Sequence, residues 1–136
     1  MKPTYKLMLD EVKLAAAAAE AEAIAHGWAV SIALCDAGGH ALWLQRMDGA
    51  APMSAHVAAA KARTAAMGRR DTKIFEDMIN GGRMAFLSAP TLEGMMEGAL
   101  PVWHNGQCVG AVGVSGVKAA EDAQVAAAGV AAVAAQ

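Results

Sequence analysis

Arg46 ends a short apolar run, Ala41-Leu42-Trp43-Leu44-Gln45-Arg46, and Asp48-Gly49 follows at once. Strand alternation puts Leu42, Leu44 and Arg46 on one face, with a guanidinium at the end of an apolar row. Such a group either pairs with Asp48 or anchors a carboxylate through two parallel hydrogen bonds. Lys61 and Thr64, three apart in a helical segment, face the same way. A cation and a hydroxyl there hold an anion or form a solvated face. Ser115 closes a run punctuated by Gly110, Gly113 and Gly116, and glycines inside a strand mark a bulge or the close approach of a backbone or ligand. Together, Arg46, Asp48, Lys61, Thr64, Gly113 and Ser115 make up the expected ligand pocket, placed near a subunit contact.

A second constellation brackets a turn. Asp36 and His40 flank Gly38-Gly39, and a carboxylate beside an imidazole can orient it as a general base. The plainer reading is that both shape the turn. The remaining histidines, His26, His56 and His104, have no metal-ligand spacing among them, so no metal site is expected. A single imidazole is still enough to ligate haem iron. The 9 methionines are scattered like core fillers. Gly68-Arg69-Arg70 reads as a solvated charge run. Gly113-Val114-Ser115-Gly116 lacks the spacing of a nucleophile elbow, and no phosphate-binding glycine loop occurs.

The elements that must carry these groups follow from periodicity and punctuation. A helix is expected from Lys6 to Ala25, capped by Thr4 and stopped by Gly27. Trp28 to Cys35 alternates large residues (Trp28, Val30, Ile32, Leu34) with small ones (Ala29, Ser31, Ala33, Cys35), as a strand covered on both faces would. Ala41 to Met47 returns as its hairpin partner. Helices follow at Ser54–Gly68, with Ser54 as the N-cap, and at Thr72–Ile79, then loop and short helical turns from Arg83 to Leu100. Pro101–His104 and Gln107–Ser115 flank Asn105-Gly106, a strong hairpin signal, and a last helix spans Ala120 to Ala135. Hairpins dictate an antiparallel sheet, and double-sided burial asks for helices on both faces. The fold class is α+β, an antiparallel sheet sandwiched between helical layers.

Composition narrows the functional classes. A length of 136 residues suits a single domain, residues 1–136. Alanine supplies 35 positions and aromatics only 4%, so helices can lie close to a sheet or to a second copy. The net charge of -2 argues against a nucleic-acid partner, which calls for a basic face. The longest apolar run, Val125 to Ala135, is too short to cross a bilayer, and no membrane partner is expected. Cys35 and Cys108, without C-x-x-C spacing, read as free thiols suited to a cytoplasmic location.

Several segments, taken in order, resemble the GlcG/HbpS-like family, the haem-degrading proteins that include the C-terminal domain of PduO-type proteins. They are Gly27-Trp28 with Val30 to Asp36, Gly38-Gly39-His40, Leu44 to Ala50, Lys61-Ala62-Arg63-Thr64-Ala65, Leu100-Pro101-Val102, and Gly110 to Gly116 before a helix carrying Asp122. The resemblance implies a profilin-like α+β fold, assembly of the chain with itself as a homo-oligomer (tetramer or octamer), and a small-molecule ligand, with haem or another tetrapyrrole as the cofactor class. Haem propionates would suit Arg46 and Lys61. The coordinating residue differs among relatives, so no one histidine is singled out. The alternative function is a small catabolic enzyme acting on a carboxylate or aromatic acid, with Arg46 as anchor and Asp36 with His40, or Lys61, moving protons.

Overall fold

The computed structural model describes residues 1–134. Its elements, in chain order, are α1 (Leu9–Ala25), β1 (Ser31–Asp36), β2 (Ala41–Arg46), α2 (Met53–Gly68), α3 (Thr72–Asn80), a 3₁₀ turn (Met84–Ser88), β3 (Ala99–His104), β4 (Gln107–Ser115) and α4 (Ala119–Ala134). The strands form one antiparallel sheet in the order β2-β1-β4-β3. The expected end of the last helix at Ala135 lies outside the described residues.

The alternation of size along β1 decides the layering. Val30, Ile32 and Leu34 join α1 and α4 in one apolar cluster with Val12, Ala15, Ala19, Val112, Val114 and Val125. Ala33 and Cys35 face the other way, against Ala58, Ala62, Ala65 and Ala66 of α2. That second cluster is built almost wholly of alanine, so α2 sits very close to the sheet. Gly113 makes this possible: a Cβ there would run into the carbonyl oxygen of Ala58 and lie 2.6 Å from the amide nitrogen of Ala62.

Local differences from the sequence expectations have physical causes. Thr4 does not cap α1. The segment before the helix is held on the β3–β4 hairpin, where the Tyr5 N–H donates to Gln107 Oε1 (3.2 Å) and Gln107 Nε2 donates to the Pro3 carbonyl (3.1 Å). The helix therefore starts at Leu9, with the Glu11 carboxylate accepting the Met8 N–H. Ser54 lies inside α2 rather than at its cap; its hydroxyl donates to the Ala51 carbonyl (2.6 Å) and meets the Ser31 hydroxyl at 2.8 Å. Leu42, expected beside Leu44 and Arg46, sits at a bulge where Leu34 pairs with Trp43 and Cys35 with Ala41. The extra residue turns Leu42 onto the α1/α4 cluster, while Leu44, opposite Ala33, faces the α2 side.

One buried ion pair joins the two helical layers. Lys61 of α2 extends past the start of β3, and its Nζ donates to the Val114 carbonyl (3.0 Å) and to Asp122 Oδ2 (3.1 Å) in the first turn of α4. Both side chains are 4% exposed. Asp122 Oδ1 also accepts the Val117 N–H (3.1 Å). Gly98 leaves the passage open: a Cβ there would lie 2.5 Å from Nζ, and its φ of +141° suits glycine. Burial lifts the Asp122 carboxyl above its ordinary value, and the Lys61 charge and the Val117 N–H oppose that shift.

Lys61→Met is expected to destabilise the chain by about 3–5 kcal/mol, because it strands a buried carboxylate. The paired Lys61→Met/Asp122→Leu variant should recover most of that loss in a urea titration. A single variant as stable as wild type would mean the pair contributes nothing to joining the layers. Gly113→Ala should cost at least about 2 kcal/mol, since the methyl meets helix backbone rather than a movable side chain; an unchanged melting temperature would contradict the close approach of α2.

Candidate functional site

None of the six residues expected to form a pocket lines either of the two cavities described below. Lys61 is neutralised by Asp122. Thr64 is fully buried, and its hydroxyl donates to the Glu93 carbonyl (2.6 Å). The space beside Gly113 is filled by α2 backbone. Arg46, Ser31 and Ser115 stand in register across β2, β1 and β4. Arg46 and Asp48 are exposed and Ser115 half-buried. Among the described residues Arg46 forms no ion pair, with Asp48 or otherwise.

A cavity of about 630 Å³ opens at the opposite end of β1, within the roughly 300–1,000 Å³ typical of small-molecule sites. Three pieces of chain make most of it, and Leu42 of β2 and Arg69 at the end of α2 complete it. The first is the turn after β1, where Asp36 Oδ1 accepts the N–H groups of Gly38 (2.9 Å) and His40 (3.0 Å), the Asx arrangement that lets a carboxylate shape a loop. Gly39, at φ +81°, seats this turn against α2: a Cβ there would lie 2.7 Å from Arg63 Cγ. The His40 ring lies over Gly38, where a Cβ would be 3.1 Å from its Cδ2. The second piece is the N-terminal strap, held by the Gln107 bonds and by Asn105 Nδ2 donating to the Tyr5 hydroxyl (3.0 Å), with the Tyr5 ring edge-on to His104 at 4.6 Å. The third is the β3–β4 hairpin with Trp103, Cys108 and Val109.

The lining is amphipathic. Leu7, Leu42, Trp103 and Val109 supply apolar wall, His40 an imidazole, and Lys2, Lys6 and Arg69 positive charge. Asp36 is the one carboxylate in the lining, and its Oδ1 is already taken by two backbone N–H groups. A chain with net charge -2 thus concentrates cations at this cavity, where they favour an anion. Burial pushes the Cys108 thiol above its ordinary value, with the Gly110 backbone and the Arg69 charge pulling the other way. Burial, with the Asp36 charge adding to it, pushes Cys35 up to about 12, so that thiol stays protonated and inert.

Asp36 and His40 were legible candidates, and both line this cavity. No hydrogen bond links the His40 ring to Asp36 among the described residues, so the carboxylate shapes the turn rather than orienting the imidazole. Lys2, Lys6, Arg69 and Cys108 were not singled out as site residues. The available signal was the clustering of Lys2 and Lys6 before an acidic helix, and an arginine directly after the glycine expected to end α2. A second cavity of about 470 Å³ lies beside α3, lined by Ile79, Leu87, Leu92, Met95 and Met96 with Glu76 and Glu93. It has neither a cation nor an imidazole.

Residues 7–131 match the family model described as haem degrading protein HbpS-like. The chain is 54% identical over 99 residues to Protein GlcG of Escherichia coli strain K12, covering 73% of each protein. Among solved structures it is similar to protein ORFY of Klebsiella pneumoniae, with a TM-score of 0.93 and 29% identity over 100% of this chain and 96% of that one. It also superposes on PduOC in a haem complex, with a TM-score of 0.85 over 94% of this chain and 95% of that one; at 23% identity the likeness is one of fold. With the family model matched over residues 7–131 and a relative 54% identical over 73% of its length, the chain belongs to the HbpS-like family.

Proposed function

We propose that this chain binds haem, or another tetrapyrrole bearing carboxylates, in the cavity between the N-terminal strap, the Asp36–His40 turn and the β3–β4 hairpin. The observation that carries the reading is the lining itself: an apolar wall, one imidazole and three cations around about 630 Å³. Each part suits a different part of a haem. Leu7, Leu42, Trp103 and Val109 would cover the ring, and His40 would ligate the iron. Lys2, Lys6 and Arg69 would meet the two propionates. The group, when bound, supplies a redox-active iron; the chain supplies orientation, charge balance and a partly water-excluded wall. The description of the family model and the haem held by PduOC support the same ligand class.

Acid–base catalysis on a small carboxylate, the alternative reading, calls either on Lys61, which is buried in its pair with Asp122, or on Asp36 orienting His40. The two backbone N–H groups on Asp36 Oδ1 work against that role.

Titrating purified chain with hemin is expected to give a shifted Soret band at micromolar protein. His40→Ala should lose the histidine-ligated band and weaken binding roughly tenfold or more. An unshifted band with wild-type chain would count decisively against haem, and an unchanged spectrum in His40→Ala would move the iron ligand elsewhere.

Self-association forms the second part of this reading. Leu44, Met53, Met84 and Leu87 are each more than half exposed, and contact with a second copy would take such side chains out of water. Closed symmetric assemblies are the common way to cover it. Light scattering should return a multiple of the 13.8 kDa chain mass, larger than a dimer; a single-chain mass would end the idea.

A further inference from the structure

Arg69 adopts a backbone conformation that glycine normally takes. α2 closes with the N–H of Arg69 on the Ala66 carbonyl (3.3 Å) and that of Arg70 on the Ala65 carbonyl (3.2 Å), a pairing that requires the first of these two donors to be left-handed. Arg69 is that residue, with φ 55° and ψ 42°. Glycine is present one position earlier, but Gly68 serves another purpose. It is helical, and a Cβ on it would lie 2.5 Å from Phe75 Cζ. The glycine admits the Phe75 ring, and an arginine is left at the strained position.

The two arginines then diverge. Arg70 Nε donates to the Gly68 carbonyl (3.3 Å), and its guanidinium lies 5.4 Å from the centre of the Phe75 ring. Arg69 has no ion pair and no side-chain hydrogen bond among the described residues. It lines the cavity with Lys2, Lys6, His40 and Cys108. Strain kept at a functional surface often fixes a side chain that a relaxed backbone would direct elsewhere. A left-handed residue sends its side chain off the helix at an angle that an ordinary helical position does not give.

We infer that Arg69 is a specificity-determining residue: the left-handed end of α2 directs its side chain to the cavity, where its charge selects ligands carrying a free carboxylate over neutral ones of the same shape. This rests on the cavity being the ligand site proposed above. It adds which charge does the selecting, and explains why a glycine does not stand at position 69.

The test is Arg69→Gly, with Arg69→Lys and Arg69→Asn beside it, each measured for melting temperature and for affinity towards hemin and hemin dimethyl ester. The ester has the same ring and iron with both carboxylates capped. Arg69→Gly should raise the melting temperature by about 2–5 °C, because glycine relieves the left-handed strain. It should weaken hemin binding by about 10- to 100-fold, the range of a charge-assisted hydrogen bond, and leave the ester unaffected. Arg69→Asn should show the same loss of selectivity, since asparagine tolerates the conformation without the charge. Arg69→Lys should keep most of the preference for hemin. Three results would overturn the inference: wild-type chain binding hemin and ester equally well, Arg69→Gly binding hemin as wild type does, or hemin affinity falling only in step with stability. Wild-type chain that binds neither probe would remove the cavity reading itself, and the inference with it.

Discussion

Everything on one side of the sheet depends on how closely α2 can approach it. A helix and a sheet normally stand apart by the length of their interleaved side chains; here alanine meets alanine, and Gly113 touches helix backbone. That closeness has two consequences along α2. At one side it lets Lys61 extend past Gly98 and reach Asp122 in the opposite layer. At the C-terminal end it seats the Gly38-Gly39 turn against Arg63 and Met67, and so brings His40 and Arg69 to the same cavity. A bulkier helix face would move both by the width of a side chain.

The charge pair and the small-residue packing act differently on stability. Alanine on alanine contributes modestly per residue, because each buries little apolar area. A buried ion pair repays little more than its own desolvation, yet it penalises any arrangement that separates its members. Lys61 and Asp122 lie 61 residues apart in sequence and come together only when α2, the end of β4 and the first turn of α4 are all in place. Their main contribution is therefore to specify how the layers sit on the sheet.

The fold was legible in the sequence because its signals are local. The size alternation of Trp28 to Cys35, the Asn105-Gly106 turn and the two hairpins each determine their neighbours' positions within a few residues. The sheet order and the sandwich follow from them, and the family resemblance points the same way. The site was less legible because its members meet over long separations. Lys61 looked like a ligand-binding cation, since nothing near it in sequence announces Asp122. Arg69 looked like part of a solvated run, since Gly68 seemed to account for the helix end; only the contact of Gly68 with Phe75 shows that the glycine is occupied elsewhere. Thr4 looked like a cap because the hold of Gln107 on Pro3 and Tyr5 spans the whole chain.

The N-terminal strap gives the cavity a wall of a different kind from the others. Residues 2–7 contribute no strand to the sheet and little to either apolar cluster beyond Leu7. Their hold is a few exposed hydrogen bonds and one aromatic contact, each worth about 1 kcal/mol or less in net terms. Segments held in this way open at free energies far below global unfolding. Access to the cavity and order in the strap are consequently two faces of one equilibrium. Any occupant that touches both the strap and the sheet makes closure more favourable by its own binding free energy, and amide exchange at Tyr5 would register the occupant's arrival while β1 and β4 stayed silent.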